Sequence, residues 1–148
     1  MTYSHILRFS RQLERYYNAC FDMLTRRAGA SINELRVLLF LANNPDCDTA
    51  RDVVELRGLS KSQVSQAVEQ LSRRGLLDRR PDGTDRRIVH LTITEAGMPL
   101  AGEAQRIQAE CGRQLLEGFS EDELRQLKVL VEKMMANGNR LAGKEEWK

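Results

Sequence analysis

Apolar residues recur at steps of three and four through most of this chain, and the breaks in that rhythm mark out its elements. Phe9, Leu13, Tyr16, Cys20 and Leu24 form one stripe, which predicts a helix over residues 3–25 with Gly29 at its end. Ser31 followed by Glu34 is a capping box, in which each side chain serves the other residue's backbone N–H. It opens the run Leu35–Ala42, which is apolar nearly all round, so this helix (31–43) belongs at the buried centre of its unit. Asn43-Asn44-Pro45 stops it.

Thr49, with Asp52 three residues on, starts a short helix to about Arg57, and Gly58 breaks it. Ser60 and Gln63 form a second capping box, and Val64, Ala67, Val68 and Leu71 supply the inward stripe of the helix that follows. Gly75 stands where a left-handed residue closes a helix. Beyond it the period falls from helical to alternating. Leu76-Leu77 and Arg87–Ile93 are the arms of a hairpin around Pro81-Asp82-Gly83. Thr94 then caps a long helix over 94–117 with Leu100, Ala104, Ile107, Cys111 and Leu115 on one face. Ser120 and Glu123 open the last helix, striped by Leu124, Leu127, Val131, Met134 and Leu141, and residues 144–148 read as a frayed tail.

Composition narrows the class without naming it. The chain has 148 residues, 41% hydrophobic and 30% charged, which is ordinary for a soluble domain. No apolar run approaches the ~20 residues that span a bilayer. The start, MTYSHILRFSRQLER, becomes charged too quickly for a secretory signal, so a cytoplasmic location is expected. Three widely spaced cysteines, Cys20, Cys47 and Cys111, argue against a disulfide framework and against a zinc site. His5 and His90 are too isolated for metal or acid–base chemistry. The sequence holds no Gly-rich phosphate loop, nucleophile elbow or paired acid–base set, so no enzyme, cofactor or metal is expected.

Charge is concentrated where the motif lies. Residues 57–91 carry eight Lys/Arg against four Asp/Glu, while residues 30–56 carry two against five. Taken alone, this reads first as a solvated charged face and only second as a polyanion site. The order helix, short helix, tight turn, helix, hairpin changes the balance, because it is that of a winged helix-turn-helix. The second helix of such a motif enters the major groove. With 64, 67, 68 and 71 inward, Lys61, Ser62, Ser65 and Gln66 lie outside, and Gln63 joins them as a candidate base reader. Ser60 at the helix start and Thr49 at the start of the preceding helix complete this expected contact surface. The hairpin brings Arg80, Arg86 and Arg87 to the adjacent minor groove or backbone, with Asp85 expected to orient Arg87 through a bidentate pair.

The segment LSKSQVSQAVEQLSRRGLLDRRPDGTDRRIVHLTITEAG, residues 59–97, resembles the core of the multiple-antibiotic-resistance regulator (MarR) family, whose wing carries Asp-x-Arg followed by a strand and Leu-Thr. Asp85, Arg87, Leu91 and Thr92 match that pattern, and the terminal helices match more loosely. The resemblance implies a mainly α (α+β) fold, with a winged helix-turn-helix lobe over 31–93 and a helical dimerisation region from 1–30 and 94–148. It implies a homodimer on pseudo-palindromic duplex DNA, repression as the family default, and a small-molecule effector bound where the dimerisation helices meet the lobe. Arg15, Tyr16, Tyr17 and Cys20 are the candidates for lining that pocket. Two alternatives stay open. One is a thiol-based redox regulator using Cys20, although Cys20 and Cys111 both lie on apolar stripes and read first as core thiols. The other is a protein-binding winged helix, which requires an exposed apolar patch in place of the Lys/Gln/Arg surface.

Overall fold

Capping chemistry sets most of the element boundaries. The computed structural model describes residues 2–141. In chain order they form α1 (Tyr3–Ala28), α2 (Ile32–Asn43), α3 (Ala50–Arg57), α4 (Lys61–Arg73), β1 (Leu77–Pro81), β2 (Val89–Ile93), α5 (Met98–Leu115) and α6 (Glu121–Leu141). The expected capping boxes at Ser31–Glu34, Thr49–Asp52 and Ser60–Gln63 are all formed, and each starts its helix one residue later. Ser120 and Glu123 pair in the same way ahead of α6. Residues 142–148, which include the expected frayed tail, lie outside the described residues.

The all-round apolarity of α2 has a structural reason: the helix serves two cores. Val37, Leu38, Phe40 and Leu41 pack with Val53 of α3, Val64, Val68 and Leu71 of α4, and Leu77 and Leu91 of the hairpin. Leu35 and Leu39 pack with Phe21 and Leu24 of α1 and Ala104 of α5. One polar group is buried with them. Glu34 accepts hydrogen bonds from the Ser31 N–H (3.3 Å) and from Arg74 Nη1 (3.4 Å). Arg74 also donates to the carbonyls of Ala28 (2.7 Å) and Gly29 (3.2 Å), so the end of α4 satisfies the exposed carbonyls at the end of α1.

Several boundaries differ from expectation: β1, expected at Leu76-Leu77 with Pro81 in the turn, runs over Leu77–Pro81, and α5 ends at Leu115 and not at 117. α1 runs on to Ala28 before the left-handed Gly29. Arg87, expected to open the second strand, lies in the turn with Arg86, because the ladder ends where Pro81 pairs with Val89. Thr94 caps a turn instead of a helix, and α5 begins at Met98. The Thr94 hydroxyl donates to the Gly75 carbonyl (2.6 Å) and accepts from the Gly97 N–H (3.1 Å). That turn brings Gly97 so close to β1 that an added Cβ would sit 2.2 Å from the Leu76 carbonyl oxygen.

The cysteine expectation is overturned. Cys20 of α1 and Cys111 of α5 are joined in a disulfide across 91 residues of sequence, and Cys47 alone is free. Both cysteines do lie on inward stripes, and the packing of α1 against α5 turns two such positions into neighbours. Residues up to Cys111 form one compact unit, and those from Gly112 onward a second. In the second, α6 has no buried residue and leaves Leu127, Val131 and Met134 exposed along one side.

Candidate nucleic-acid interface

The recognition helix is anchored from below and open above. Val64, Ala67, Val68 and Leu71 are buried, while Lys61, Ser62, Ser65 and Gln66 are exposed on its first two turns. Gln63 is exposed too, but its Oε1 accepts the Ser60 N–H (2.9 Å) while Ser60 Oγ accepts the Gln63 N–H (3.2 Å). These two residues are held in the cap, which leaves Gln66 as the glutamine with its amide outward. Thr49 is similarly engaged, with its hydroxyl 2.6 Å from Asp52 Oδ2. A groove of about 840 Å³ separates α3 and α4 from the hairpin, floored by Val54, Val64, Val68, Val89 and Leu91 and edged by Arg51, Lys61 and Arg79.

The hairpin is a two-stranded antiparallel wing with Arg80 opposite His90 and Arg79 opposite Leu91. Its turn is built on Asp82. One carboxylate oxygen accepts from the Thr84 N–H (2.8 Å), the Thr84 hydroxyl (2.7 Å) and the Asp85 N–H (2.9 Å). Those donors, the Asp85 N–H above all, hold Asp82 well below the ordinary carboxylate range. Asp85 in turn accepts the Arg87 N–H (3.0 Å). Its contact with the Arg87 guanidinium is a single 3.8 Å approach of Nε, and that side chain is 95% exposed. The bidentate pair expected between them is therefore absent, and Asp85 shapes the backbone under Arg87 instead. Arg80 and Arg86 are also exposed, whereas Arg79 pairs with Glu69 of α4 (3.1 Å).

Sequence reasoning missed the group that ties this wing to the lobe. His90 is not isolated. Its Nδ1 lies 2.9 Å from Asp48 and its Nε2 3.2 Å from Asp82. The Leu91 N–H also donates to the Asp48 carbonyl (2.7 Å), and Thr49 and His90 form a β-bridge. The D-G-T-D spacing of the turn was a legible signal for Asp82; nothing local signals that Asp48, 42 residues away, meets His90. Among the described residues, no three or more His, Cys, Asp or Glu gather around a metal position.

The candidate effector residues divide. The Tyr16 hydroxyl donates to the Cys111 carbonyl (3.2 Å), and Cys20 is bonded to Cys111. The Tyr17 ring packs on Phe21 (4.9 Å between centroids), with the guanidinium groups of Arg57 and Arg36 at 5.5 and 6.0 Å from its own centroid. Arg15 does not join them; it lines a surface depression on α1 with Ser4, Leu7 and Arg8. Arg36 and Arg57, which sequence reasoning did not select, are the cations that Tyr17 meets.

A buried three-helix base, an exposed polar second helix and an arginine-tipped hairpin define the winged helix-turn-helix class. Residues 28–88 match the model described as the MarR family. Several solved structures share the fold at low identity. A MarR transcriptional regulator from Methanosarcina mazei Go1 is 22% identical with a TM-score of 0.80, covering 93% of this chain and 99% of its own. MepR of S. aureus, solved as a DNA complex, is 23% identical with a TM-score of 0.75, covering 93% and 98%. BpsR of Bordetella bronchiseptica, whose DNA binding is regulated by 6-hydroxynicotinic acid, is 24% identical with a TM-score of 0.72, covering 88% and 98%. Residues 28–88 of the lobe thus match the MarR-family model, and over about nine-tenths of the chain the fold is that of these solved regulators.

Proposed function

We propose that this protein is a homodimeric regulator that binds pseudo-palindromic duplex DNA, represses transcription there, and is released by a small-molecule effector. The observation that carries the reading is the exposed polar face of α4, Lys61, Ser62, Ser65 and Gln66, on the same lobe as a wing with Arg80, Arg86 and Arg87 exposed. Hydroxyls and an amide toward base edges, with cations toward phosphates, are the chemistry of sequence reading plus backbone grip. The MepR–DNA complex is a precedent for DNA binding on a similar fold, and BpsR one for effector control. No described helix is long and apolar enough to cross a membrane, and a regulator of this kind works where the chromosome is, in the cytoplasm.

Two copies place their recognition helices in half-sites about one helical turn apart, ~10 bp. Residues 1–30 and 94–148 supply the dimerisation surface and 31–93 the reading lobe. Tyr16, Tyr17 and Cys20 are the chosen residues that stay near the junction of α1, α2 and α5, where an effector would act, whereas Arg15 lies apart on the α1 surface. A mobility-shift titration against genomic fragments tests the reading: it expects retention of particular promoter fragments over scrambled DNA, and equal retention of both defeats it.

The Cys20–Cys111 disulfide favours a second reading, a redox-responsive regulator of the same fold, since cytoplasmic disulfides are uncommon outside catalysis and sensing. Operator affinity of the oxidised protein would then differ from that of the dithiothreitol-reduced protein, and Cys20→Ser would abolish the difference. Identical affinities leave the bond as a structural link only.

A further inference from the structure

We propose that His90 is a positioning residue for the wing: its doubly protonated ring, held between Asp48 and Asp82, pins the arginine-bearing turn to the connection entering α3 and makes DNA binding depend on its proton. The inference rests on the DNA-binding reading above.

The geometry makes the demand. Each ring nitrogen of His90 faces a carboxylate oxygen, Asp48 at 2.9 Å and Asp82 at 3.2 Å. A neutral imidazole has one N–H and one lone pair, so it can donate to only one of these acceptors and sets a lone pair against the other. Only the imidazolium serves both. The pull of Asp48, and then of Asp82, raises the affinity of His90 for its proton above the ordinary value of 6.5.

The other ionisable groups around the ring do not offer a competing explanation. Arg80 stands opposite His90 on β1, but the groups that act on the ring are Asp48 first and then Asp82, opposed only by the cost of desolvation. In the turn, Asp85 is engaged with the Arg87 N–H; at the start of α3, Asp52 is engaged with Thr49. The end of α2, Val37 to Asn43, carries no ionisable side chain.

The consequence passes along a continuous set of bonds. His90 holds Asp82; Asp82 organises Thr84 and Asp85; Asp85 holds the backbone of Arg87. Loss of the second proton therefore loosens either the turn beneath Arg86 and Arg87 or the tie to Asp48. The sign follows from the raised value. The clamp's contribution is complete below the unfolded value of about 6.5 and is lost as pH rises through the higher folded value. Operator affinity should fall in that same window.

The test uses the full chain. The sequence has two histidines, so imidazole signals in the DNA-free protein are assigned with His5→Gln. Between about pH 6 and about pH 9, the His90 ring should titrate above 6.5. The amide signals of Thr84, Asp85 and Arg87 should follow the same midpoint, and Asp48→Asn should lower it. Operator affinity of the wild type should drop several-fold across that midpoint, on the scale of a lost phosphate contact. His90→Gln should lose that drop and show a flat profile across the same window. A His90 midpoint at or below 6.5, turn amides that ignore it, or an unchanged pH slope in His90→Gln would overturn the proposal. If no DNA is bound at any pH, the regulator reading fails, while the titration of the free protein still upholds or overturns the clamp.

Discussion

Gln63 and Gln66 lie three residues apart on α4 and have different tasks. Gln63 closes the capping box with Ser60, so Gln63→Ala should cost roughly 1 kcal/mol of folding stability, read from urea denaturation. Gln66 is exposed with no part in the cap, so Gln66→Ala should leave stability unchanged and reduce operator discrimination by ~1–3 kcal/mol if it pairs with a base. Equal losses on operator and scrambled DNA would remove Gln66 from sequence reading. On the wing, Arg87→Ala should weaken DNA binding and leave the thermal midpoint nearly unchanged, because its side chain is 95% exposed. Asp85→Ala decides between two forces of opposite sign. Removing a negative charge near phosphate favours tighter binding, whereas losing the acceptor of the Arg87 N–H disorders the turn. The expected result is weaker binding, because the turn fixes where Arg86 and Arg87 project; tighter binding would mean that charge outweighs shape.

Elements show which local signals suffice. The boxes at Ser31, Thr49, Ser60 and Ser120 involve a side chain and backbone groups three residues apart, so chain connectivity alone brings them together, and all four helices begin where those residues stand. Thr94 carries a similar local look, but its hydroxyl is taken by Gly75, 19 residues earlier, and α5 starts at Met98. Gly97 is the residue on which that join depends. Gly97→Ala would drive a methyl to 2.2 Å from the backbone oxygen of Leu76, which cannot turn away as a side chain would. The expected cost is ~1–3 kcal/mol, measured as a lower denaturation midpoint; a neutral effect would show that β1 and the turn before α5 can separate without penalty.

At the scale of the whole molecule, the apolar stripe of α6 remains exposed at Leu127, Val131 and Met134 in the single chain, and α1 leaves Tyr3, Leu7 and Phe9 exposed. Surfaces of this kind call for a partner, and a second copy is the proposed one. Leu127→Asp should yield monomers or aggregates by sedimentation and lose operator binding together; a stable DNA-binding monomer would contradict the dimer. The sequence by itself determined the helix count, the order of helices and wing, the buried centre at α2 and the outward face of α4. Each of these follows from periodicity, caps and turns, which act within a few residues. The tertiary structure alone decided that Cys20 meets Cys111, that Arg74 closes the end of α1 over Glu34, and that Asp48 reaches His90. Those partners lie 91, 46, 40 and 42 residues apart, and no local propensity encodes such distances. They form because burying the two faces of α2 brings α1, α5 and the wing to fixed places around it.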